Sequence, residues 1–474
     1  MDRESLTVTE RRIWDAFTTG RRVDLTGEQD RRVRAGLLTF LALGGVADRD
    51  GERSALRITG ATIIGRWTLA YVDVAAPISL WKCEFERPMD FYGTRFRRIS
   101  LDSCVFPGFI ASNAVVEGGM RLRGVRSTGT IRLVGARIEG ALTLSGAELT
   151  APDYTVDATR IRIGSDMYAR EGFRSTGEIR IDHAEIGGSL RWEGAHLSHP
   201  GQRVLDARGI RVVSEVRFRN GFTADGRVDL RGAQIGGEFS IEDAVLTGLP
   251  QSLTLGSVTA REFILSARQP PAGAVDLSHA RVEVLRDDPA SWPEALSLNG
   301  LTYGALADTG AVTDRLRWLQ RDAQDFPPQV YSQLAAVYRA SGRDDDARTV
   351  ALAGEQHRRA TLRWAGQAWG LLQDGTVGYG YRPVRAVAWL GVLLAVGTFV
   401  FTHWRPRPAE APKAPEFHAA AYAADLLFPV IDLGQQSAYL PQGWTAWFAY
   451  FLIGAGLLLA TTAVAGAARR LQRG

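Results

Sequence analysis

Two cysteines, three histidines and one loop between two apolar runs are the residues of this 474-residue chain whose types and spacing could do chemistry. Cys83 and Cys104 stand 21 positions apart in the matching contexts Cys-Glu-Phe and Cys-Val-Phe. A repeat of that length would stack their thiols as a candidate redox pair, against the plainer reading of two buried small apolar side chains. His183 and His196-x-x-His199 offer imidazoles at a metal-ligand spacing, yet they read as solvent-facing loop residues. There is no Walker loop, no dinucleotide fingerprint after a strand and no His-Glu-x-x-His helix, so no catalytic, cofactor or metal site is expected.

The loop lies between uncharged runs at 386–404 and 444–468, each long enough to span a hydrocarbon core of about 30 Å. Thr376-Val377-Gly378-Tyr379-Gly380 is the string whose backbone carbonyls replace an ion's hydration shell in potassium channels. No span precedes it and Arg382-Pro383 follows, so it reads as a Gly-rich turn. Between the runs, His418 to Phe428 reads as a short apolar helix, followed by a loop ending at Gly434. That order resembles two-span ion channels, and it makes Asp425, Pro429, Asp432 and Gly434 the candidate pore loop, with Asp432 favouring cations. A helix lying on the membrane, with Asp432 capping a turn, is the competing reading. Gly454 and Gly456 would let membrane helices approach closely.

The elements that must position these residues are read from a repeat. Residues 153–250 hold one 49-residue unit written twice: Asp157-Ala158, Ile161, Ile163 and Gly172-Phe173 return as Asp206-Ala207, Ile210, Val212 and Gly221-Phe222. Inside it runs a period of eleven, as in Ile179, Ile181, Ala184, Ile186 and then Leu190, Trp192, Ala195, Leu197. An apolar-x-apolar pair puts two side chains on one face of a strand, and a Gly-Ala step can turn the chain sharply. One such piece cannot bury its inner face, but stacked copies can, which is the logic of a parallel β-helix of about ten coils.

From Ile78 to Phe106 the spacings shorten to two, three and five. Here the chain resembles pentapeptide-repeat proteins, whose coils have about five residues per side; Leu101-Asp-Ser-Cys104-Val-Phe106 is a loose match. That family includes acidic rods that mimic DNA, a role the outward Arg121, Arg123, Arg217 and Arg219 oppose. Residues 9–19 and 27–44 read as helices, and 1–50 as a helical cap over the first coil. The strand rhythm is expected to stop near 286. Residues 287–373 read as a connection and helical adaptor, in which Tyr331, Leu334, Ala335, Tyr338, Gly342 and Ala347 resemble a single tetratricopeptide repeat. A basic helix over 355–373 with Trp364 and Trp369 suits a membrane surface.

A formal charge of +4 against 108 charged residues is too small a surplus for a nucleic-acid footprint. No apolar leader opens the chain, so cleaved secretion is not expected. Arg382 and Arg385 before the first run, and Arg469, Arg470 and Arg473 after the second, would keep both termini cytoplasmic at the cell membrane. The expected class is therefore mainly β: a parallel β-helix over 51–286, an N-terminal helical cap, a helical adaptor, and a two-helix transmembrane hairpin within 374–474. The Gly-Ala-x-Ile-x-Gly rungs, Gly378-Tyr379-Gly380-Tyr381-Arg382-Pro383 and Asp425-Leu-Leu-Phe-Pro-Val-Ile-Asp-Leu-Gly434 resemble actinobacterial repeat-plus-two-span membrane proteins. Such proteins carry the label membrane-associated oxidoreductase, which implies redox chemistry. The residues themselves favour an interaction or sensing scaffold, with lipid, an unknown protein on a solenoid face and further copies of the chain as partners. An oligomeric two-span pore is the alternative.

Overall fold

A computed structural model describes residues 1–46, 53–308, 310–322, 328–360, 383–409, 415–428 and 433–471, with backbone only for 359–360, 383–387, 458 and 460–471. The chain divides into two units, Met1–Ser341 and Gly342–Gly474.

The first unit is the expected solenoid, and each coil has four short sides. Met120–Arg121, Arg126–Ser127, Ile131–Arg132 and Arg137–Ile138 form one coil. They pair in parallel with Leu142, Leu149, Val156 and Ile163 of the next. The inward member of each strand sits on its counterpart: Ile99, Met120, Leu142, Met167, Leu190 and Val216 make one column, all at 0% exposure. Identical alternation on four sides leaves no inner position open to solvent, so apolar burial holds successive coils together.

One corner turns through the left-handed region in eleven successive coils, at Tyr71, Gly93, Asn113, Gly135, Arg160, His183, Gly209, Gly232, Ser257, His279 and Gly300. Glycine fills only five of these, although a non-glycine residue in this conformation costs about 1–2 kcal/mol. The cost is offset because the corner N–H donates to the next coil, as from Arg160 to the Asp182 carbonyl at 2.9 Å and from His183 to the Arg208 carbonyl at 2.8 Å. An aspartate three residues before several of these corner residues also accepts from the chain, as Asp276 does from the Ser278 N–H at 2.9 Å.

Pairing begins earlier and ends later than the rhythm suggests. Helix α1 (Val8–Thr18) opens on a capping box between Thr7 and Glu10. Strands Val23–Asp24 and Arg32–Arg34 then pair with Ile58–Thr59 and Thr62–Ile64. The helix expected over 27–44 is therefore a strand followed by α2 (Ala35–Ala42). Val33 is wholly buried between more exposed Arg32 and Arg34, a period-two pattern too short to read inside an Arg-rich stretch. At the other end, Leu296–Ser297 and Thr302–Leu306 add to the stack beyond 286. The insert from Pro289 to Pro293 hides that continuation in the sequence.

The open edge of the last coil is closed by side chains. Asp322 accepts from the Leu298 N–H at 3.2 Å, and Gln329 accepts from the Gly300 N–H at 3.0 Å and donates to the Leu301 carbonyl at 3.1 Å. Gln333 donates to the Tyr303 carbonyl at 2.5 Å. Helix α3 (Val312–Leu319) buries Arg315, Trp318 and Leu319, and α4 (Pro328–Ala340) buries Tyr331, Leu334, Ala335 and Tyr338. The apolar positions that resemble a tetratricopeptide helix thus lie on a helix whose glutamines supply the partners a missing strand would have supplied.

The second unit holds α5 (Asp344–Ala360), α6 (Pro383–His403), α7 (Ala419–Leu427) and α8 (Trp444–Leu471). The short α7 lies where a helix between the two apolar runs is expected. Its Tyr422, Ala423, Leu426 and Leu427 form a core with Phe401 of α6 and Ala449 and Leu452 of α8. Among the described residues no helix is long and apolar enough to cross a membrane, so the expected spans gain no support there.

Candidate functional site

Cys83 and Cys104 occupy equivalent corners of adjacent coils, both free thiols at 0% exposure. Their hydrogens go to backbone carbonyls: Cys83 Sγ lies 3.5 Å from the Trp81 oxygen and Cys104 Sγ 3.6 Å from the Leu80 oxygen. Burial pushes the Cys104 thiol well above its ordinary range, and the neighbouring Cys83 adds to the rise. The Cys83 thiol is shifted the other way, held below its ordinary range by the neighbouring Cys104 despite its burial, so the two thiols are sealed from solvent but differ in acidity.

The histidines do not converge. His183 stands on a left-handed corner beside Asp182 at 3.3 Å, His196 meets the Thr223 hydroxyl at 2.8 Å, and His199 meets the Arg203 carbonyl at 3.1 Å. Among the described residues no group of acidic, histidine or cysteine side chains could hold a metal ion.

Pro429 and Asp432 lie outside the described residues, as do 376–380, Trp364 and Trp369. Asp425, on α7, is 2% exposed and turned into its own loop. Its carboxylate accepts the backbone N–H groups of Leu433 at 2.6 Å, Gln435 at 2.8 Å and Gln436 at 3.1 Å. Gly434 supplies the left-handed residue between them. Asp425 thereby ties the loop back to the helix, and its acceptor capacity is used within the loop. The two glycines differ: Gly454 has open space at its Cβ position, whereas a side chain at Gly456 would strike the Leu427 carbonyl of α7. On α6, Gly397 has a similar role, with Ala423 Cβ 3.0 Å from where its own Cβ would be.

The densest ionic cluster went unread in the sequence, although an Asp-x-Arg pattern repeated 23 residues apart could have signalled it. Asp206 and Asp229 are register partners in adjacent coils, with side chains 0% and 1% exposed. Arg208 forks onto Asp206 with both bonds at 2.8 Å, and Arg231 onto Asp229 at 3.0 and 2.7 Å. Arg203, from the segment that distinguishes the 49-residue unit, reaches Asp206 at 2.8 Å and Glu178 at 2.9 Å. Every carboxylate here is bound by a guanidinium, so the cluster pins that segment to the stack and leaves no free base.

Burial pushes the Asp206 carboxyl up, but Arg208 and Arg203 override it and hold the group below the usual carboxylate range. A folded value below the unfolded one gives a contribution that is complete above about pH 4 and lost as pH falls through the depressed folded value. The urea midpoint of the native chain should therefore fall more steeply than that of Asp206→Asn between about pH 4 and pH 2. Parallel acid limbs in the two proteins would show that Asp206 is not held this way.

A further cluster lies at the C-terminal end of the solenoid. Arg315 and Asp287, with side chains 3% and 0% exposed, form a bidentate pair with both bonds at 2.6 Å. The Trp292 indole N–H donates to the same carboxylate, and Arg315 also donates to the Asp308 carbonyl at 2.9 Å. A cavity of about 300 Å³ opens over this pair. The sequence puts Asp287 in a connection and Arg315 in the helical adaptor and does not signal their pairing, because the partners are 28 positions apart and the segment carries no repeat rhythm.

This architecture and its sites define a parallel four-sided β-solenoid with a capped end and a separate helical unit. Compared with protein-family models, curated proteins and solved structures, the chain matches none.

Proposed function

We propose that this protein is a scaffold whose β-solenoid is fixed to a lipid bilayer by the hairpin of α6 and α8. The observation that carries the reading is where large apolar side chains meet solvent. Twelve of the twenty such exposed residues among those described fall between Trp389 and Leu457, including Val396, Phe399, Trp447 and Phe451. Exposed apolar area concentrated in this way marks an interaction surface. The absence of charge from 386–404 and 444–468 makes lipid the matching partner.

Trp404 and Trp444 meet at 5.3 Å where α6 ends and α8 begins, as interfacial tryptophans do. The arginines flanking the opposite ends favour the cytoplasmic side for both termini and the solenoid. A rigid stack with long polar faces then offers a docking surface for a protein partner.

Membranes from cells producing the full chain test the reading. The chain should stay in the pellet after alkaline carbonate washing, and Val396→Asp with Phe399→Asp should release a large fraction of it. Native protein recovered in the soluble fraction would end this proposal.

A further inference from the structure

We infer that the cavity at the C-terminal end of the solenoid binds a small aromatic carboxylate. This inference stands apart from membrane attachment, since every residue it uses lies in the first unit. The cavity, about 300 Å³, is walled by the rings of Trp292 and Trp318, whose centroids are 5.3 Å apart. By volume that is room for about ten waters, or for a single-ring or indole-sized ligand. The two rings, tilted by 54° to each other, give the cavity an aromatic lining that suits an apolar ring.

The polar groups choose the charge. The Trp292 N–H is already bonded to Asp287, but the Trp318 Nε1, on a residue 4% exposed, has no partner among the described residues. A buried indole donor without an acceptor is costly, and a ligand oxygen would relieve it. The lining charges are three arginines against two aspartates. Arg315 is neutralised by Asp287, and Arg317 pairs with Asp314 at 2.9 Å. Arg321 remains, and among the described residues its guanidinium donates to the neutral carbonyls of Trp292 at 2.6 Å and Pro293 at 3.2 Å. Among the described residues no carboxylate pairs with it. One surplus positive charge, one unmet donor and two aromatic walls together specify a monoanion with an aromatic body.

Calorimetric titration of the full chain with benzoate, phenylacetate and indole-3-acetate tests this, with benzyl alcohol as the neutral comparator and inorganic phosphate as the anion without a ring. At least one of the three carboxylates should bind with Kd below ~1 mM, and neither comparator should. Trp318→Phe keeps the ring and removes the donor, and should weaken that carboxylate about tenfold or more. Arg321→Gln should do the same; if circular dichroism shows that it misfolds, Trp318→Phe alone decides. The inference is overturned if no carboxylate binds below ~1 mM, if benzyl alcohol or phosphate binds as well as the carboxylate, or if Trp318→Phe leaves affinity unchanged.

Discussion

Arg315→Met is expected to destabilise the first unit by about 3–5 kcal/mol, because it leaves Asp287 charged and buried without its partner. The pair is almost wholly excluded from solvent, and both guanidinium bonds to the carboxylate are short. Its net contribution relative to an apolar pair is much smaller than that figure, since each ion was stripped of water on folding. Adding Asp287→Leu to Arg315→Met should therefore recover much of the loss. A remainder of about 1–3 kcal/mol is expected because the Trp292 indole loses its acceptor. Urea unfolding of the full chain, followed by circular dichroism, checks both. A loss under about 1 kcal/mol for Arg315→Met would mean that water reaches Asp287.

Trp192→Ala should cost a similar amount, about 3–5 kcal/mol, for a different reason. Trp192 is wholly buried in the middle of the stack, with ring centroids 6.4 Å from Phe173 and 5.9 Å from Phe218. Truncation removes apolar burial and leaves a cavity that neighbours on four hydrogen-bonded sides cannot collapse to fill. Coils touch mainly the coils above and below, so the damage should be local. Hydrogen exchange should quicken first across residues 167–218 and leave the coils around Ile99 protected. Uniform acceleration along the whole unit would contradict the nearest-neighbour picture.

The inner face of the solenoid was legible because its physics is periodic. Ile179, Ile181, Leu190 and Trp192 alternate with polar residues at strand spacing, and alternation by itself sends them to one side. The stacking of Cys83 on Cys104 followed from the same period. The short helix between the apolar runs was legible separately, as the apolar stretch that ends before Pro429. Where the period is brief or interrupted, reading stopped: three residues around Val33 are too few to show a strand, and Pro289 to Pro293 conceal two later rungs.

The sequence determined which side chains must be hidden, because burial of an apolar stripe depends on local order along the chain. Only the tertiary structure decided which polar groups meet. Asp287 and Arg315, or Arg203 and Glu178, find each other through coil length and corner geometry, and neither quantity is encoded in the neighbours of either residue. Charge pairing is a property of distance in space, whereas alternation is a property of position in the chain.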